Sequence, residues 1–269
     1  MPLYPAPPPE SPFDQPLDRP AVLAALQARI RRLERGGAAA EAAPIPLCDA
    51  IDRHLPAGGL ARAGLHEVMA AEPGAAAGFC AMALARTEGT VLWIAAEPDA
   101  WPPGLSRFGL SAANLVLVQA RRPADALWAM EEALRCPGVA GALLVQAEID
   151  MTAARRLQLA AEAGGALGLL LRPDAAAEEA APADTLRARG SGQAASAALT
   201  RWRVGALGSG GGGRHALGDP RWQLELLRCR GGQPREWQVT WQPAAGCLTV
   251  EGAEDAAPES RPARRRVPR

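Results

Sequence analysis

The stretch from Leu55 to Arg86, LPAGGLARAGLHEVMAAEPGAAAGFCAMALAR, constrains this chain more than any other. It reads as a Gly-rich lead-in turn, a short strand over Leu65 to Ala70, a loop rich in Gly and Ala, and then a helix. Strand, small-residue loop and helix is the order that cradles nucleotide phosphates, because backbone N–H groups and the helix N-terminus point at the anion. A working cradle also needs the pattern G-x-x-x-x-G-K-[ST], whose Lys reaches the outer phosphates and whose hydroxyl holds Mg²⁺. Here Gly74 and Gly78 flank Ala75, Ala76 and Ala77, and Phe79 and Cys80 follow. The sequence contains no Lys, and Arg does not reproduce the compact ammonium at that position. The layout is that of a nucleotide-binding unit without the cation that grips the triphosphate.

A length of 269 residues and 48% apolar content allow one large domain with appendages and a sizeable core. The 29 basic residues balance 29 acidic ones, so global charge selects neither for nor against nucleic acid. Five widely spaced Cys (Cys48, Cys80, Cys136, Cys229, Cys247) without C-x-x-C predict reduced thiols in a cytoplasmic protein. The N-terminus lacks the basic-then-apolar order of a signal peptide, and no apolar run is long enough to span a membrane. Three His and no Ser-His-Asp or metal-ligand pattern predict no catalytic triad, no metal and no cofactor.

Along the chain, residues 1–17 are Pro-rich and predict a disordered segment. Asp18 then caps a helix over 18–37, with Val22, Leu23, Leu26, Ile30 and Leu33 on one face, packing on its own domain or on a neighbouring subunit. A domain over 47–242 follows. Its near-continuous apolar runs Thr90 to Ala96, Leu115 to Val118, Gly141 to Val145 and Ala166 to Leu171 predict strands buried on both faces. Helices over Pro123 to Cys136 and Met151 to Gly164 alternate with them, which predicts an α/β fold with a mostly parallel sheet. Leu199 to Val204 reads as another strand, and Trp222 to Trp241 as an antiparallel β-hairpin at the sheet's edge. Residues 251–269 read as a disordered Arg-rich tail.

The order of these elements resembles the RecA recombinase core over most of residues 55–205. Leu55 to Leu60 resembles its lead-in turn, Leu65 to Ala70 the strand feeding its phosphate loop, and Trp93 to Glu97 its strand ending in a water-activating Glu. Two parts of the ATP machinery differ: the phosphate-loop Lys is absent, and Gln146 stands where the family carries the Mg²⁺-ordering Asp. A neutral amide is a poorer ligand for a hard cation. Longer strings resemble the ImuA family of inducible mutagenesis proteins: Ala126 to Gly138, Arg155 to Glu162, Leu199 to Val204, and Gly218 to Gly232. That resemblance implies a RecA-like, non-catalytic accessory protein of damage-induced, error-prone translesion synthesis (SOS mutagenesis). It would act with an ImuB-type Y-family polymerase homologue and an error-prone replicative-type polymerase, with RecA as a further partner. The alternatives are a divergent ATP- and DNA-binding RecA-type protein and a cell-division inhibitor of the SulA type.

Ten residues are candidates for partner or DNA contact. Arg155 and Arg156 open a helix and contact DNA phosphates or an acidic partner, or else pair with Glu148 or Glu162. Arg201 and Arg203 alternate on a strand around Trp202, so both guanidinium groups share a face. Trp222, Trp237 and Trp241 form a partner surface, since Trp is favoured at interface hot spots, or cross-strand aromatic pairs. Arg264, Arg265 and Arg266 in the tail suit an acidic surface or DNA, or simple solubility. The segment 173–197 carries Arg187 and Arg189 but also Glu178, Glu179 and Asp184, which favours an insertion over a phosphate-tracking loop.

Overall fold

The computed structural model describes residues 43–97, 100–146, 148–174, 196–209 and 218–252. The expected segment 1–17, helix 18–37 and tail with Arg264, Arg265 and Arg266 lie outside the described residues, as do Arg187 and Arg189.

The strands are β1 (Gly64–Ala70), β2 (Thr90–Ala95), β3 (Leu115–Gln119), β4 (Val139–Val145), β5 (Leu167–Pro173), β6 (Thr200–Leu207), β7 (Arg221–Cys229), β8 (Arg235–Gln242) and β9 (Cys247–Val250). The helices are α1 (Asp49–Asp52), α2 (Pro73–Ala85), α3 (Pro102–Ser106), α4 (Pro123–Arg135) and α5 (Met151–Gly164). All nine strands join one sheet in the order β3-β2-β4-β5-β1-β6-β7-β8-β9. The pairs from β3 through β6 are parallel, and those from β6 through β9 are antiparallel. The expected α/β fold with a mostly parallel sheet and C-terminal antiparallel strands is therefore present. The hairpin β7–β8 continues through β9, a strand the sequence pattern did not announce, so the sheet extends past Gln242.

Each sheet face buries a core of different chemistry. On one face lie α4 and α5, whose Ala126, Met130, Leu134, Leu157 and Ala161 meet Leu65, Ile94, Leu144 and Leu170. These are amphipathic helices with outward polar faces. Asp150 caps α5 by accepting from the Ala153 amide at 2.7 Å, and Gly165 ends it in the left-handed conformation at φ 73°. Gly164 lets the two helices approach, because a Cβ there would lie 1.9 Å from the Leu134 carbonyl oxygen.

The opposite face is organised around α2. Its residues from Ala75 to Leu84 are buried apart from a half-buried Ala77, with no polar side to the helix. A helix apolar all round must be enclosed. The sheet covers one side, and Leu105, Phe108, Leu110, Ile45, Leu47 and Ile51 complete the enclosure. Arg86, just past its end, donates to the carbonyls of Pro46 (2.5 Å), Leu47 (2.8 Å) and Gly246 (3.2 Å). One guanidinium thus ties the segment before α1 and the β8–β9 turn to α2.

Candidate functional site

In parallel α/β sheets ligands bind beyond the carboxyl ends of the strands. That rim is where the sequence places a nucleotide cradle, and the structure corrects the expected geometry. β1 ends at Ala70 and α2 begins at Pro73, so only Ala71 and Glu72 connect them. Gly74 and Gly78 do not flank a loop; both lie inside α2. Gly78 serves packing, since a Cβ there would meet the Phe108 ring at 2.8 Å, while Gly74 has open space around it. The small residues of Pro73 to Ala83 are the residues of a helix crowded by aromatic rings.

The short connection is also fastened. The Ala71 amide donates to the Val204 carbonyl at 3.0 Å, and the Glu72 carboxylate accepts from the Ala206 amide at 2.5 Å. Glu72 occupies the N-cap position of α2; its carboxylate makes no cap hydrogen bond and is turned onto β6, yet it adds negative charge beside the positive helix end. Pro73 removes one of the free amide donors that would face an anion.

The other strand ends match this character. Glu97 is largely exposed beside Arg121 at 3.4 Å, and Gln119 donates to it at 3.4 Å. The Gln146 amide turns onto the Glu148 carbonyl at 2.8 Å. Among the described residues, those that follow the ends of β1 to β5 include the acidic Glu72, Glu97, Glu148, Asp150 and Asp174 against the basic Arg121 and Arg122. Of these, Glu97 pairs with Arg121 and Asp174 with Arg203, and the set as a whole is acidic. Among the described residues no group of three or more His, Cys, Asp or Glu side chains is placed to hold a metal ion.

The candidate contact residues divide by burial. Trp222, Trp237 and Trp241 do not form a surface: each is buried on the α2 face. Trp222 lies 5.6 Å from Phe108 and 6.4 Å from Phe79 between ring centres; Trp237 lies 6.0 Å from Trp202; Trp241 lies 6.1 Å from Phe108. The Trp241 indole donates to the Arg107 carbonyl at 2.9 Å. The reason is register. β7 pairs antiparallel with β6, and β8 antiparallel with β7, so alternate residues Trp222, Leu224 and Leu226, and Trp237, Val239 and Trp241, all lie on the α2 face of the sheet.

Arg201 is likewise withdrawn from any DNA contact. It is 6% exposed and pairs with the fully buried Glu67 at 2.5 Å. The Ser196 hydroxyl donates to Glu67 at 2.8 Å, and Arg172 lies 3.6 Å away. Arg203 shares Arg201's face as expected, but it is held by Asp174 at 2.7 Å and Glu225 at 3.4 Å. Arg156 pairs with neither expected acid; its partner is Glu131 of α4, which Arg135 also meets at 2.6 Å. Arg155 stands exposed on the outer side of α5.

His66 is structural. The Trp202 indole donates to the Thr200 hydroxyl at 2.8 Å, and that hydroxyl meets His66 Nδ1 at 2.7 Å. His66 Nε2 lies 2.9 Å from the Ala61 carbonyl. With Nε2 protonated, every group in the chain has a partner. Burial lowers the His66 pKa to about 4, keeping the ring neutral. All five cysteines are free, and burial pushes the Cys80 thiol up.

The sequence reading passed over Trp128, 64% exposed on α4, and Trp101, 70% exposed ahead of α3. The helical period carried a signal for the first: Trp128 falls off the stripe of Met130 and Leu134 that faces the core.

No protein-family profile matches the chain. Two curated relatives do, both described as Protein ImuA, from Caulobacter vibrioides strains NA1000 / CB15N and ATCC 19089 / CIP 103742 / CB 15. Each is 40% identical over 208 residues, covering 72% of this chain and 81% of the relative. A 40% identity sustained over that share of both chains places the chain in the ImuA family.

Proposed function

We propose that this protein is a non-catalytic, RecA-like accessory component of damage-induced, error-prone DNA synthesis. In this reading it works in the cytoplasm with an ImuB-type Y-family polymerase homologue and an error-prone replicative-type polymerase. Membership in an inducible mutagenesis family supplies the biological setting. The observation that carries the non-catalytic part is the two-residue β1–α2 connection with Glu72 at the helix start. It leaves no loop to wrap phosphates and sets a negative charge where they would sit. The acidic rim and the absent Lys support the same conclusion.

The partner surface lies, in this proposal, on the outer side of α4 and α5. Trp128 stands 64% exposed there, Leu159 is 55% exposed, and Arg155 lies one turn before Leu159. An exposed Trp on α4, with an exposed Leu and Arg on the neighbouring α5, offers residue types found at interface hot spots. The tail with Arg264, Arg265 and Arg266 is a second contact in this proposal.

The test is a damage-mutagenesis assay in a deletion strain complemented with Trp128→Ala plus Arg155→Glu, together with pull-down of the ImuB-type partner. The expected result is loss of induced mutagenesis and at least a tenfold drop in capture, at unchanged melting temperature. Full mutagenesis and full capture by the variant would refute this surface. Deleting everything after Gly232 is not a usable test, because it removes the buried Trp237 and Trp241 and with them part of the core.

A further inference from the structure

Arg121, Arg122, Arg135, Arg156, Arg203 and Arg221 each meet a carboxylate. One corner of the molecule departs from that habit. There the β7–β8 turn rests against the turn after α1: a Cβ on Gly232 would lie 3.5 Å from the His54 carbonyl oxygen, and one on Gly231 would lie 3.7 Å from the Pro56 ring. The contact brings Arg235, at the start of β8, to His54, and its guanidinium donates to Nε2 at 3.4 Å. Arg53 precedes His54, and Arg230 leads into the β7–β8 turn with its amide fixed on the Leu199 carbonyl at 2.8 Å. Arg53, Arg230 and Arg235 are all exposed, and among the described residues none of them pairs with a carboxylate. The neighbouring acids are engaged elsewhere or face away. Asp52 accepts from the Leu47 amide with both oxygens at 3.0 Å, and Asp49 offers Arg53 its backbone carbonyl at 3.1 Å. Glu236 follows Arg235 and so points to the opposite face of β8, across from Glu225. Desolvation, then Arg235, then Arg53 hold the His54 pKa below its ordinary value, so the ring adds no charge at pH 7.

We propose that this corner, Arg53 with Arg230 and Arg235 around His54, is a contact for the phosphate backbone of a nucleic-acid strand. Like charges drawn together without a counter-charge oppose the folded state, and an anion laid across them removes that opposition. Planar guanidinium forks match phosphate oxygens two at a time. Contacts of this kind position a strand without reading its sequence. The surroundings select a phosphate strand over a protein partner. The large exposed apolar side chains are Trp101, Val116, Leu117, Trp128, Met151 and Leu159. None of them belongs to α1, to the turn after it or to the β7–β8 hairpin, so the apolar centre of a protein interface is missing here. The contact is independent of the partner surface proposed on α4 and α5, because α1 packs through Ile51 into the core on the α2 face.

The test is fluorescence anisotropy of the full chain with a labelled single strand of thymidine nucleotides, titrated at salt concentrations from about 50 to 200 mM. Arg264, Arg265 and Arg266 are present in every protein compared, so the readout is the difference between wild type and variant. Arg53→Gln plus Arg235→Gln should bind about tenfold more weakly at the lowest salt and reduce the log–log salt slope by about 1.4, the share of two phosphate contacts on a single strand. Both side chains are exposed, so the melting temperature should not fall. Arg53→Lys plus Arg235→Lys keeps the charge and should keep the wild-type slope. A wild type that fails to bind at about 50 mM salt overturns the proposal. So does a well-folded Gln variant with wild-type affinity and slope. Poly-glutamate or inorganic phosphate that displaces the strand at equal charge concentration also overturns it, because the corner then reads charge alone.

Discussion

The two sheet faces solve the same packing problem with different side chains. Under α4 and α5 the core is aliphatic, and each helix needs only one apolar stripe because its outer side meets water. Around α2 the core is aromatic: Phe108, Trp202, Trp222, Trp237 and Trp241 surround a helix made largely of Ala and Gly, whose own Phe79 joins them. Large rings and small helix residues fill space together, so either demands the other. The comparison teaches that a run of Gly and Ala after a strand has two physical meanings. It can let backbone approach a phosphate, or it can let aromatic rings approach a helix; here the second holds.

The largest expected effect separates the faces directly. Trp202→Ala removes a fully buried ring that touches Phe79 at 5.7 Å and Trp237 at 6.0 Å. It should cost about 3–5 kcal/mol in denaturant unfolding, while Leu144→Ala on the aliphatic face should cost about 2–4 kcal/mol. If the aliphatic site proves the costlier one, the aromatic face does not dominate stability.

Glu67→Ala comes next. It removes the buried carboxylate that Arg201, Arg172 and the Ser196 hydroxyl share, a change expected to cost about 3 kcal/mol. Adding Arg201→Met should recover most of that loss if the pair alone is responsible.

The pH dependence sharpens the comparison further, because His66 links β1 to Trp202 through Thr200. Its pKa is about 4 folded against the ordinary histidine value of 6.5, so below 6.5 the unfolded chain takes up a proton that the native state refuses. The stabilisation is full above pH 6.5 and is lost as pH falls toward 4. Thermal melts should decline over that window, and His66→Gln should flatten the decline between pH 6.5 and 5.

The smallest effect concerns Gly78. An Ala there presses on the tip of the Phe108 ring, and the expected cost is about 1 kcal/mol. Pairing it with Phe108→Leu should reduce that penalty, which a double-mutant cycle would detect.

Much of the fold was legible because buried parallel strands and amphipathic helices write strong periods. Thr90 to Ala95, Pro123 to Arg135 and Met151 to Gly164 lie where their patterns place them. α2 was read as a loop followed by a helix because it has no period: enclosed on all sides, it carries no polar stripe to mark its turns. β9 was missed because four residues after a turn hold too little alternation. The site residues were harder to place. Alternation showed that Trp222, Leu224 and Leu226 share a face, but whether that face meets water or α2 depends on which strand β7 pairs with. Arg201 reads as a surface cation until Glu67, far away in sequence, is brought beside it by β1–β6 pairing. Trp128 went unnoticed although its helical spacing, a local property that needs no knowledge of topology, sets it off the stripe of Met130 and Leu134.

The central claim is that the β1–α2 junction is a packing joint and not a phosphate cradle. Isothermal titration of the full chain with ATP and excess Mg²⁺ tests it most directly. The account predicts no saturable heat up to about 1 mM nucleotide, the scale at which even weak sites register. Saturable binding in the micromolar range, weakened by Gly74→Val and accompanied by phosphate release, would contradict it.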